Sequence, residues 1–347
     1  MKTLTTFLLF AIGGAALTSL ASFVSYDALT SHTRKVPFSY PQLLLERVEG
    51  PRIVIDAGSS SMFGVEPALI EKAFSLPVID VADNGSIPLD MKIYRMLKYA
   101  RRGDVLIVPL EWVYYTRDIV PLDFIDKTPN EYAAYYASQP ALQRLIFSVQ
   151  HVSLHNLSDA ARLYMRANLL RSNDRQIRDE HAKWPYGDRK DDHRRRSSVE
   201  NISCADYIAA AGTMPPVVEW AAAQLAELQA TRGVHVYLTW PAVAGTDCYK
   251  LTDGKLPIAE EARAIFTRHG IAVVGDVADS YFPPEHMLDT YYHVDSSAAR
   301  VRTQRLIGHL QDAGLKAAEG PFRSTVTLAD EALRSLEAAM DPRDVAP

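Results

Sequence analysis

The sequence predicts an α/β fold: a three-layer α/β/α sandwich around a roughly five-stranded parallel sheet, with a helical insertion after the third strand. Three observations predict it. Short, continuously apolar runs such as Ile53-Val-Ile and Val105-Leu-Ile-Val recur along the chain. Strands that read as unbroken apolar runs are buried on both faces, as in parallel sheets covered by helices. Helical patterns alternate with these runs, which is the βαβ signature. After the third run the alternation stops, and it resumes some hundred residues later.

The elements follow in order. Residues 3–26, from Thr3 to Tyr26, carry no charge. At about 1.5 Å per residue a helix of that length spans a hydrocarbon core of about 30 Å. The expectation is a membrane anchor or a signal segment over residues 1–28, with Ser19-Leu20-Ala21 as a small-residue cleavage site. Residues 29–50, with Pro37 and Pro41, read as a stalk. The α/β domain is expected over 51–313. Arg52 to Ala57 is the first strand, 66–75 a helix, 77–81 the second strand, and 88–101 a helix with Pro88 in its first turn. Residues 104–110 are the third strand. A helical and polar insertion occupies about 125–205; within it 129–170 has helical spacing, and 171–200 is so polar that it reads as an exposed loop. Residues 215–231, 258–269 and 295–313 read as helices, 234–239 and 271–275 as strands. A tail, 314–347, holds a short amphipathic helix over 327–340.

Bulk properties exclude some functions. The net charge is −5, so no global positive field points to nucleic acid. No GxGxxG or GxxxxGK[ST] pattern follows a strand, which argues against a nucleotide site. The two cysteines, Cys204 and Cys248, lie in no metal-ligand spacing, and no cofactor is implied; in an exported domain they would suit one disulfide.

Ligand sites in open parallel sheets lie outside the carboxyl ends of the strands. Three segments there carry chemistry. The first strand runs into Gly58-Ser59-Ser60-Ser61. A glycine permits a sharp turn, and the following helix N-terminus supplies free N–H groups suited to a developing oxyanion. Asp83-Asn84-Gly85 follows the second strand, where Gly85 can offer a further N–H. Asp289-Thr-Tyr-Tyr-His293 precedes the last long helix. A serine needs a neighbouring base to act as a nucleophile, and a carboxylate on the imidazole fixes its tautomer. Asp295 suits the N-cap of the helix that follows. Asn84, Glu111, Trp112 and Trp240 also fall at strand ends, where they are expected to line a substrate pocket.

With the order Ser, Asp, His and these block positions, the sequence resembles the SGNH (GDSL-type) hydrolase superfamily, and more narrowly its membrane-tethered bacterial members associated with exopolysaccharide O-acetylation. The resemblance covers roughly 50–115 and 230–313. It implies a flavodoxin-like sheet, Ser59 as nucleophile, Asp289 and His293 completing the triad, and the N–H groups of Ser59 and Gly85 as oxyanion donors. It implies acyl transfer or hydrolysis on a cell-envelope or secreted polysaccharide, or another small acylated substrate. It also implies an inner-membrane tether with a periplasmic catalytic domain, or secretion after cleavage, and a membrane acyltransferase as partner. The sequence departs from the family at three points. The first block reads Ala57-Gly58-Ser59 instead of Gly-Asp-Ser, which leaves Ser60 and Ser61 as rival nucleophiles. Glu111 stands where the third block normally brings an asparagine donor. Three residues, not two, separate Asp289 from His293. The missing asparagine motivates an alternative: a non-catalytic glycan-binding scaffold of an export machine.

Overall fold

A computed structural model describes residues 2–31, 39–116, 122–129, 132–165, 173–187, 214–246 and 250–338. Cys204 and Cys248 lie outside them. The chain divides into two compact units: residues 1–39 with 120–177, and residues 40–119 with 178–347.

The first unit is helical. It holds α1 (Lys2–Ser31), α6 (Leu122–Lys127), α7 (Ala133–Ser138), α8 (Ala141–His151) and α9 (Leu154–Met165). Helix α1 packs on α7, α8 and α9. At its C-terminal end Tyr26 meets Tyr136 edge to face, with ring centroids 5.6 Å apart, and Ala160 closes the cluster. Arg144 of α8 reaches back to Asp27 at 3.3 Å. Among the described residues no helix is long and apolar enough to cross a membrane. The side chains of residues 1–12, 15 and 16, which make up much of the uncharged run, lie outside that description.

The second unit is the predicted α/β fold. Strands β1 (Ile53–Ile55), β2 (Val78–Asp80), β3 (Val105–Val108), β4 (His235–Leu238) and β6 (Ala272–Val273) form one all-parallel sheet in the order β2-β1-β3-β4-β6. Strands β5 (Val243–Ala244) and β7 (Tyr281–Phe282) pair separately. The sheet is flanked by α3 (Ser59–Gly64), α4 (Pro67–Phe74), α5 (Leu89–Tyr99), α11 (Pro216–Arg232), α12 (Pro257–Arg268) and α13 (Ser296–Asp312). Alternate strand residues Ile53, Ile55, Val105 and Ile107 join Ile70 and Phe74 of α4 and Leu306 and Leu310 of α13 in one core. Helices α5 and α11 pack on each other, and α11 also meets β4.

Two segments differ from their sequence reading, and the expected tail helix is docked on the sheet edge. Residues 40–47 belong not to a stalk but to α2 (Tyr40–Arg47), which buries Tyr40, Leu43, Leu44 and Leu45. The fully buried Arg52 guanidinium donates to the carbonyls of Leu44, Leu45 and Val48, and its Nε pairs with Asp104 at 3.3 Å. A cation at a helix C-terminus satisfies carbonyls that have no partner within the helix. The polar stretch 171–200 is not one exposed loop: it contains α10 (Asn173–Lys183). Glu180 accepts from Tyr40 N–H, and Tyr186 O accepts from Asp80 N–H on the edge strand β2. Gly187 (φ +87°) sits so close to the Asp80 carbonyl that a Cβ there would overlap it. In the tail, α14 (Thr325–Ala338) is docked: the Thr325 hydroxyl both accepts from Val78 N–H and donates to Val78 O.

Candidate functional site

The strand order reverses between β1 and β3, so the switch point where such sheets bind ligands lies beyond their carboxyl ends. The segments after β1 and β3 are Ala57-Gly58-Ser59 and Pro109-Leu110-Glu111. In-register pairing, with Asp56 N–H donating to Ile107 O, brings them side by side.

Ser59 opens α3 and is half-buried, whereas Ser60 and Ser61 are fully buried. The Ser60 hydroxyl points inward to Ala242 O at 3.3 Å. Of the three serines, Ser59 is the one exposed to solvent.

His293 and Asp289 sit on a tight loop. Leu288 N–H donates to His293 O at 2.8 Å, Asp295 N–H to His286 O at 2.8 Å, and Met287 bridges Val294. Within it His293 Nδ1–H donates to Asp289 Oδ1 at 2.6 Å. A carboxylate on Nδ1 leaves Nε2 as the basic nitrogen. The imidazole packs on Phe63 of α3, with centroids 4.2 Å apart. The loop ends at Asp295, whose side chain accepts from Ala298 N–H and caps α13, as its position suggested.

Three segments therefore converge. Met62 and Phe63 after the serine, Ala82 before Asp83, and Leu288 before Asp289 form one apolar cluster. Asp83 N–H donates to Ala57 O at 3.2 Å, which lays the Gly85 loop beside the serine turn. Asn84 is exposed; its side-chain oxygen accepts from Ser86 N–H and its carbonyl from Ile87 N–H, so it shapes the turn at Gly85. Ser59 Oγ makes no hydrogen bond to His293 among the described residues. In substrate-free sites this contact is often long and tightens on binding.

Glu111 and Trp112, expected at a pocket, are instead buried frame; Trp240, also buried, lines a cleft with Gly275, Asp276 and Arg302. Glu111 accepts from Ser60 N–H (2.7 Å) and Gly58 N–H (2.9 Å), the amides on either side of Ser59. Burial pushes its carboxyl above the usual range, while the Ser60 N–H and Lys92 pull it back. Gly58 is required here: a Cβ would lie 2.5 Å from Glu111 Oε2. Trp112 packs on Trp240, and Trp240 Nε1–H donates to Gly275 O.

Sequence reading missed the cations that hold this frame. Lys92 is fully buried; its ammonium donates to Ala57 O (2.7 Å) and pairs with Asp83. Arg95 joins Asp56 and, at 2.8 Å, Asp83. Arg302 donates to Ser60 O (2.9 Å) and Trp240 O (3.0 Å), and burial pushes its guanidinium down to about 10. The signal was available: Lys92 and Arg302 occupy positions on the apolar faces of α5 and α13, beside Ile93 and Leu306. Among the described residues no cluster of three or more His, Cys, Asp or Glu side chains is placed to hold a metal ion.

No protein-family model matches the chain. No curated protein matches its sequence either.

Proposed function

We propose that the chain is a serine-dependent acyl ester enzyme of SGNH type, acting on an acylated envelope or secreted polysaccharide. Ser59 Oγ attacks the acyl carbonyl while His293 Nε2 takes its proton. Asp289 holds the imidazole tautomer and stabilises the charged ring. The N–H groups of Ser59 and Gly85 face the oxyanion. The C–O bond of the ester then breaks, and His293 returns the proton to the leaving oxygen. Water, or a sugar hydroxyl, attacks the acyl-serine to complete hydrolysis or transfer. On this reading α1 tethers the chain to the inner membrane, the second unit lies in the periplasm, and a membrane acyltransferase is a fitting acyl donor.

The observation that carries the reading is the 2.6 Å Asp289–His293 hydrogen bond on a ring packed against the helix that Ser59 begins. The test is hydrolysis of p-nitrophenyl acetate by the full chain, with Ser59→Ala, His293→Asn and Ser60→Ala. The first two should lose at least about 100-fold, since general acid–base and nucleophilic groups contribute on that scale. Ser60→Ala should retain turnover. A fluorophosphonate should label Ser59, read by peptide mass spectrometry. Turnover unaffected by Ser59→Ala, or label on another residue, removes Ser59 from the mechanism.

One observation favours a second reading. Glu111 is an acceptor at the place of the family's donor, which suits a glycan-binding scaffold without turnover. A wild-type chain inert toward small esters and acetylated glycans, yet retained on a glycan column, decides for it.

A further inference from the structure

We propose that the helical unit lies against a lipid bilayer surface through the outward face of α8 and the adjoining turns of α1. This rests on the membrane tether proposed above for α1.

In α8, Leu142, Ile146 and Val149 recur at i, i+4 and i+7. In α1, Leu17, Leu20 and Val24 recur at i, i+3 and i+7. All six are between 46% and 70% exposed. The spacing puts each trio on one side of its helix. The opposite sides are already used: Tyr26 of α1 and Ser148 of α8 face the core around Tyr136, whose hydroxyl lies 3.1 Å from Ser148 Oγ. Helix α8 contains no carboxylate, and its one arginine, Arg144, is drawn back onto Asp27. The outward face of α8 is thus uncharged. Exposed apolar side chains aligned along one face of a helix mark a contact site.

The position on α1 points to lipid as the occupant. The uncharged run ends at Tyr26, and Asp27 is its first charge. The helices of the unit pack on α1 at that level, with Tyr26 buried against Tyr136 and Ala160. If the run enters the hydrocarbon, α8 is held where the acyl chains meet the headgroups. Amphipathic helices lie in that plane with their apolar side down.

The experiment uses the full chain in vesicles of phosphatidylethanolamine and phosphatidylglycerol. An environment-sensitive fluorophore is attached at Leu142→Cys, Ile146→Cys or Val149→Cys, with Cys204→Ser and Cys248→Ser; Gln311→Cys, on the exposed end of α13, is the reference. Acyl-chain nitroxide should quench the three α8 sites several-fold more than the reference, and aqueous iodide several-fold less. In the unsubstituted chain, hydrogen exchange over 141–151 should be slower in vesicles than in the Leu142→Glu/Ile146→Glu/Val149→Glu chain. If the chain floats with vesicles but iodide reaches α8 as it reaches the reference, the tether stands and the face contact is overturned. If the chain does not float, both fall. Shielding from both quenchers means that a second copy or another protein covers α8, which also overturns the lipid assignment.

Discussion

Glu111 holds the two amides that flank Ser59, and its removal has a calculable cost. The Glu111→Ala chain leaves Gly58 N–H and Ser60 N–H without their acceptor inside a fully buried site. Each orphaned buried donor costs about 1–3 kcal/mol, so the pair costs about 2–6 kcal/mol. Glu111→Gln keeps one acceptor and turns an NH2 group toward the other amide, for about half that loss. For a unit of this size about 1 kcal/mol moves the melting temperature by about 2–4 °C. The Ala chain should therefore melt roughly 8 °C or more below wild type at a central cost of about 4 kcal/mol, and the Gln chain should fall between. Urea and thermal unfolding of the second unit, followed by near-ultraviolet circular dichroism, read this directly. The pH dependence has a fixed sign. The folded carboxyl is raised by burial, so the folded state binds its proton more tightly than the unfolded state. That stability is present below the unfolded pKa and is lost as pH rises through the folded pKa. The advantage of wild type over Glu111→Gln should accordingly shrink as pH rises above the ordinary carboxylate range. A Glu111→Ala chain within about 1 kcal/mol of wild type refutes the assignment of these two hydrogen bonds; a gap that widens with pH refutes the dominance of burial over them in setting the carboxyl.

Three further predictions test the same frame. Gly58→Ala displaces the Glu111 carboxylate; it should cost about 2–4 kcal/mol alone and much less in the Glu111→Ala background, so a double-mutant cycle in urea should give a coupling above about 1 kcal/mol. Lys92→Met removes the buried ammonium that pairs with Asp83 and Asp56, and should cost about 3–5 kcal/mol by denaturant titration, the scale for breaking a buried ionic partnership from one side. Asp295→Ala removes the α13 N-cap, a loss of about 1 kcal/mol. Burial raises the Asp295 carboxyl, but Ser297, the Ala298 N–H and His286 outweigh it and hold it below the usual range. Its contribution should be present at neutral pH and vanish as pH falls through that lowered value, while the Asp295→Ala chain shows no such component.

The sheet was legible because each strand is buried on both faces, so its apolar run needs no partner to be recognised. The serine turn and the Asp289–His293 loop were legible because their chemistry is local in sequence. Residues 40–47 were not: two prolines suggested a stalk, and what makes that segment a docked helix is Arg52, which reaches back to its last carbonyls. The edge-covering role of Tyr186 was hidden for the same reason, since its partner Asp80 is more than a hundred residues away.

Glu111 is the instructive case. Read along the chain, it is a carboxylate where a donor belongs, and the oxyanion site looks short of one group. The parallel register of β1 and β3 changes that inference, because it sets Glu111 opposite residues 58–60 and not toward the substrate side. Around the turn, the buried or half-buried carboxylates Asp56, Asp80, Asp83 and Glu111 face the cations Lys92, Arg95 and Arg302. On the proposed reading, Lys92 on Ala57 O and Arg302 on Ser60 O fix the carbonyls of the turn while Glu111 fixes its flanking amides. An oxyanion hole works by preorganisation, so donors held rigid at the moment of reaction need no reorganisation. A glutamate that spends both oxygens on the turn, and not on the substrate, can thus serve the Ser59 and Gly85 donors from behind. The fold in which β1 and β3 are neighbours is what makes that substitution tolerable.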